Sequence, residues 1–292
     1  MAQGMNKLNE ALVSLPEVRE LLLSLDAGTS PIAVSGLSGV HRAQLAAAVR
    51  HKTQRPLLIV CADENEANRM AGDLHELLGE DVSLLFAREW QLRDRVFASH
   101  GWEQQRIGSL CSLAAGKAPI LVATVDGLMQ QTLPPDALRG AVTDISLGDR
   151  FDLNALSKKL VESGYTRAET VEGVGQFALR GGILDVWSPL SAPVRVEFFD
   201  DEVDAMGEFD VTTQRRTQNV KSLTILPAAE VLPALSDGGR EKMLERLGRA
   251  AQKIAKKAED SPIVQTLRSD IERLRNDLPL GGMDPVSYTH LR

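Results

Sequence analysis

The sequence predicts an α/β protein: a parallel sheet flanked by helices, with a smaller α+β domain inserted into it. Three observations carry this. Apolar pentapeptides alternate with amphipathic helical stretches through residues 31–125, the order expected of a parallel sheet. Between the first such pentapeptide and the first following helix lies a loop rich in small residues, Gly36-Leu37-Ser38-Gly39. After Pro134-Pro135 the pattern changes to short strands separated by turn residues. The expected boundaries are 1–137 for the first part of the sheet domain, 138–218 for the insertion, and 219–292 for the return to the first domain.

Each element follows from its residues. Pro31-Ile32-Ala33-Val34-Ser35 is expected to be a buried strand, and the helical run continues to Arg50. Leu57-Leu58-Ile59-Val60-Cys61 is continuously apolar, as in a strand covered on both faces. Ala67, Met70, Ala71, Leu74, Leu77 and Leu78 follow the 3.6-residue period over a helix from Glu64, which Gly79 ends. Val82–Phe86 is a third strand, Ile107, Leu110, Cys111 and Ala114 stripe a helix, and Ile120–Thr124 is a fourth strand. In the insertion, Asp152 caps a helix with Leu153, Leu156, Leu160 and Val161 on its apolar face. Phe177–Arg180 and Ile183–Trp187 flank Gly181-Gly182, a suitable hairpin turn, and Val194–Phe198 alternates strictly. Leu223–Leu226 reads as a strand rejoining the first layer, followed by charged helices over about 239–257 and 263–278. Val286–Arg292 continues no period, as a cloning or assembly scar would.

Composition narrows the function. The 292 residues are 43% hydrophobic and 25% charged, ordinary for a globular protein with a sizeable core. A net charge of -7 makes the chain as a whole a poor partner for DNA, so any basic contact must be local. The two cysteines, Cys61 and Cys111, lie in apolar runs and suit a reducing cytoplasm. No apolar run approaches the ~18 residues of a membrane span, and the expected location is cytoplasmic.

The loop after Pro31–Ser35 can be set against the form G-x-x-x-x-G-K-[ST]. Gly36 keeps the first glycine. His41 stands at the second glycine, Arg42 at the lysine, and Ala43 at the magnesium-binding hydroxyl; Gly39 falls between. His41 brings a Cβ where backbone amides must turn toward phosphate, Arg42 replaces a compact ammonium with a planar fork, and Ala43 offers Mg²⁺ nothing. The expectation is a P-loop-NTPase-like domain whose nucleotide site is degenerate and which does not hydrolyse NTP, against the plainer reading of a turn that never bound phosphate. Asp63-Glu64 is expected to cap a helix rather than hold a metal. The scattered histidines (41, 51, 75, 100 and 290) lack ligand spacing, no nucleophile signature appears, and Phe199-Asp200-Asp201-Glu202 reads as a solvated turn. Arg167 and Arg180, on neighbouring expected strands near Tyr165, Phe177 and Trp187, make a candidate protein-contact patch. The alternative is solvated arginines over an aromatic core.

Several motifs in one order then match a known family. They are Leu15-Pro16, Ser35–Gly39, Pro56–Val60, Leu78–Val82, Gly164-Tyr165, Arg180–Val186 and Glu197–Asp204. Over about residues 15–235 the chain resembles the N-terminal module of bacterial transcription-repair coupling factor, itself similar to the first domains of excinuclease B, the damage-verifying helicase-like protein. The resemblance implies a split nucleotide-fold domain with an inserted domain that binds excinuclease A. It implies contact arginines at Arg167 and Arg180, with Phe177 a weaker candidate. Ala178 stands where excinuclease B has a further arginine, and Arg93-Asp94-Arg95 beside Trp90 departs from the common tyrosine-containing form. No cofactor is implied for this segment. In the family, ATP and Mg²⁺ serve translocase domains further along the chain, where RNA polymerase and double-stranded DNA are also bound. The alternative is a helicase-like protein of the excinuclease B type with residual nucleotide or damaged-DNA binding.

Overall fold

The computed structural model describes residues 2–87, 100–230, 232–235 and 238–276. Trp90, residues 93–95 and 286–292, and His290 lie outside the described residues. The chain divides into two compact units, Met1–Ala87 with Ala115–Gln130, and Arg88–Ala114 with Gln131–Arg292.

The first unit begins with helices α1 (Ala2–Val13) and α2 (Pro16–Asp26), then α3 (Gly39–Thr53), β1 (Leu57–Cys61), α4 (Glu64–Leu78) and β2 (Ser83–Leu85). It resumes with β3 (Ile120–Thr124) and the short α6 (Val125–Met129), α5 (His100–Ala114) belonging to the second unit. The sheet is wholly parallel, in the order β1-β3-β2. Central β3 is buried at all five positions, as its apolar run requires. The core gathers Ala43 and Ala47 of α3, Met70, Leu74 and Leu77 of α4, and Ile120 and Val122 of β3. Helix α4 starts where Asp63 Oδ1 accepts the Glu66 N–H (2.8 Å) while Glu66 Oε2 accepts the Ala62 N–H (3.1 Å). Gly79, at φ 65°, ends it. Asp63 is therefore a cap, as its position after a strand suggests.

Pro31–Ser35 is not a strand. The segment pairs with no described strand, and all of it except Ile32 is exposed, Val34 by 52%. An apolar pentapeptide becomes a strand only beside a neighbour that completes its ladder. Among the described strands β1 pairs with β3 alone, so the sheet has three strands where the sequence suggests four. The exposed Leu58 and Val60 of β1 also depart from the expected cover on both faces.

The second unit contains α5, α7 (Pro135–Ala141), β4 (Thr143–Ser146), α8 (Leu153–Glu162), β5 (Thr166–Arg167), β6 (Gln176–Arg180), β7 (Ile183–Val186), β8 (Val194–Phe199), β9 (Glu202–Phe209), β10 (Arg216–Asn219) and β11 (Ser222–Ile225). Two helices follow, α9 (Gly239–Ala255) and α10 (Pro262–Arg275), which pack together through Met243, Leu247, Leu267 and Ile271. The main sheet has six strands in the order β10-β9-β8-β7-β6-β5, antiparallel except for the parallel pair β5–β6. One face packs against Leu156 and Leu160 of α8, burying Phe177, Leu184, Val186, Val194, Val196 and Met206. Asp152 caps α8, its Oδ1 accepting the N–H groups of Asn154 and Ala155. Val161 of this helix is exposed, narrowing the apolar face the period suggests.

Strand β11 does not rejoin the parallel sheet. It pairs antiparallel with β4 in a separate two-stranded sheet, and Leu223 and Ile225 enter the same core as α8. Tyr165 reinforces this closure. Its hydroxyl donates to Leu226 O at 2.6 Å, and burial pushes its pKa up.

Candidate functional site

Two places carry the residues singled out in the sequence. The first is the loop leading into α3. Gly36 takes φ 79°, a conformation that favours glycine, and Gly39 opens the helix. The Ser38 hydroxyl and His41 Nδ1 lie 3.0 Å apart, so the imidazole is engaged with the turn. Arg42 Nη1 donates to Glu66 Oε1 at 2.9 Å, which neutralises the cation standing at the lysine position. Ala43 is fully buried in the core of the first unit. The space beside this loop is a groove of about 490 Å³, walled by Leu21, Val34, Leu37, Leu45 and Val49, with Arg42 on its margin. An apolar wall, an already paired arginine and a buried methyl group are a poor lining for a triphosphate and its Mg²⁺.

The second place is the β5 edge of the six-stranded sheet. In the parallel register Arg167 lies opposite Phe177, whereas Arg180 lies opposite Ile183 across the β6–β7 hairpin. Side chains alternate along β6, so Phe177 and Arg180 start from opposite faces of the pleat. The two arginines are nevertheless drawn to one margin. Arg167 Nη2 reaches back to Leu179 O at 3.4 Å, and Arg180 Nη1 reaches Glu169 O at 3.2 Å. Both residues are exposed. Phe177 is not part of this surface. It is 0% exposed beneath α8, where an aromatic side chain supports β6 and is out of a partner's reach. Tyr165 is likewise buried, and Trp187 is half-buried with its Nε1 donating to Ser191 O. The aromatic groups near the arginines therefore face inward.

Two further residues, Asp185 and Arg195, join this cluster and are not singled out as candidates in the sequence. Asp185, on β7, is 1% exposed on the face opposite α8. Its Oδ2 accepts from Arg180 Nη2 at 2.8 Å and from Arg195 Nη2 at 2.9 Å, and its Oδ1 accepts from Arg195 Nε at 2.6 Å. Arg195 is thus held in the bidentate fork that a carboxylate favours. Its guanidinium carbon lies 5.0 Å from the Phe209 ring centre, and Nη1 donates to Gln214 O. The hydrogen bonds to Asp185 hold the Arg195 pKa above its ordinary value. The adjoining row continues with Glu197, which accepts from Arg216 at 3.0 Å. The signal for Asp185 is a lone carboxylate inside the apolar strand Ile-Leu-Asp-Val, a position tolerated only when the charge is paired.

The described residues contain no group of three or more His, Cys, Asp or Glu side chains able to hold a metal ion, and no helix long and apolar enough to cross a membrane.

Residues 143–231, which include this whole edge, match the family described as UvrB interaction domain. The chain is also similar to curated transcription-repair-coupling factors. It is 34% identical to that of Myxococcus xanthus over 262 residues, covering 87% of this chain and 21% of the relative. It is 28% identical to that of Bacillus subtilis (strain 168), covering 92% and 23%. The protein of Staphylococcus epidermidis is 28% identical over 70% of this chain and 18% of its own. The chain thus spans about a fifth of the length of these relatives.

Proposed function

From the homology of this chain to bacterial transcription-repair coupling factors, we propose that it is a recruitment module whose six-stranded sheet docks excinuclease A. In this role it directs nucleotide excision repair to stalled RNA polymerase. The observation that carries the reading is the pair of exposed guanidinium groups, Arg167 and Arg180, tethered to one sheet margin within the matched residues. Guanidinium groups fixed in this way suit carboxylates on a partner, because each offers a planar fork to a bidentate acceptor. The first unit acts as scaffold, its degenerate loop having no part in hydrolysis. RNA polymerase, double-stranded DNA and ATP-driven translocation belong, in this reading, to other regions of the full-length protein.

The test is capture of excinuclease A by the wild-type chain and by an Arg167→Ala/Arg180→Ala variant. Truncating arginines that become desolvated against carboxylates costs about 2–5 kcal/mol, so capture should fall at least tenfold. Equal capture by both proteins would overturn the proposed contact.

A further inference from the structure

The docking face contains a residue that no partner would touch. Asp185 is buried, yet it takes three hydrogen bonds from two guanidinium groups that differ sharply in exposure. The Arg195 side chain is 19% exposed and is fixed on three sides, by Asp185, by Gln214 and by the Phe209 ring. The Arg180 side chain is 51% exposed. One terminal nitrogen of Arg180 donates to Asp185 and the other to Glu169 O, while half of the side chain stays exposed. Arg167 has a single, longer tether at 3.4 Å among the described residues.

We infer that Asp185 is a positioning residue for the docking face: anchored by Arg195, it holds the Arg180 guanidinium in the orientation offered to an acidic surface of the partner. The inference rests on the docking reading above and adds to it the residue that sets the geometry. A free arginine loses side-chain freedom on binding, and one already held by a buried carboxylate has little left to lose. Arg195 serves as the fixed counterpart, so that Asp185 is not displaced when Arg180 engages a second carboxylate.

The experiment is a double-mutant cycle in the full chain, with affinity for excinuclease A and melting temperature measured for wild type, Asp185→Asn, Arg180→Ala and the double variant. Asp185→Asn should weaken binding by about two- to tenfold, the range set by ordering one long side chain. In the Arg180→Ala background it should weaken binding no further. A purely structural role would lower the melting temperature and reduce affinity by the same factor in both backgrounds, and that result overturns the inference. Should Asp185→Asn fail to fold, side-chain ¹⁵N relaxation of the wild type decides the matter. The Arg180 Nε–H should be nearly as rigid as the backbone and clearly more so than that of Arg167, and equal mobility overturns the inference. A wild-type chain without affinity for excinuclease A would sink the docking reading itself, whereas equal losses in both backgrounds with wild-type affinity intact sink the positioning role alone.

Discussion

Ala43 stands where a phosphate loop would carry a hydroxyl, and the structure turns its methyl group into the core between α3 and α4. Restoring a hydroxyl at this position therefore adds volume and a polar atom to a packed interior, not a magnesium ligand to a cleft. Ala43→Thr should cost about 1–3 kcal/mol through overpacking. Thermal melts should show the loss, and adding Mg²⁺ and ATP should not recover it; a concentration-dependent rise with ATP would mean that a nucleotide site survives. At this scale the site was partly legible. His41, Arg42 and Ala43 can be set against the phosphate-loop form in the sequence, but the Glu66 partner of Arg42 lies a crossover away and has no local signal. Arg167 and Arg180 are marked by motif order. Phe177 is misassigned because neighbouring residues on a strand face opposite ways, and only the sheet's partner layer decides which side is covered.

Helix caps and hairpin turns are the elements whose sequence chemistry transfers most directly to structure. Asp63, Gly79 and Asp152 all cap where their spacing suggests, since a cap depends on a few adjacent backbone groups. The Gly181-Gly182 hairpin is equally local, with a further constraint from the next strand. A Cβ at Gly182 would come within 2.8 Å of Phe198 O, while Gly182 O accepts the Phe198 N–H at 2.7 Å. Gly182→Ala should therefore lower stability by about 1–3 kcal/mol, as overpacking does elsewhere. Denaturant unfolding would register it as a lower midpoint, and an unchanged midpoint would show that β8 can give way. Pro31–Ser35 and β11 are the elements read wrongly. In both, the residues permit a strand, but pairing is set by distant partners: a missing neighbour in the first case, and β4 in the second.

The whole chain carries one buried cysteine in each unit, Cys61 in the first and Cys111 in the second. Burial pushes both thiol pKa values up, that of Cys111 to about 11. The thiolate is the reactive species, so near pH 8 the native Cys111 should alkylate at least roughly a hundredfold more slowly than in denaturant, from its pKa alone. Mass spectrometry of the two peptides during labelling would follow each unit separately. Labelling as fast in native buffer as in denaturant would contradict the packing of that unit. The net charge of -7 makes the exposed Arg167 and Arg180 local cations on an acidic molecule.

The tethers on that margin have an evolutionary consequence. Arg167 and Arg180 are held partly by the peptide oxygens of residues 179 and 169, and every amino acid supplies such an oxygen. Residue 169 is exposed, so its side chain can change and still leave that oxygen in place, whereas Leu179 also packs against the core beneath the sheet and is held to an apolar side chain.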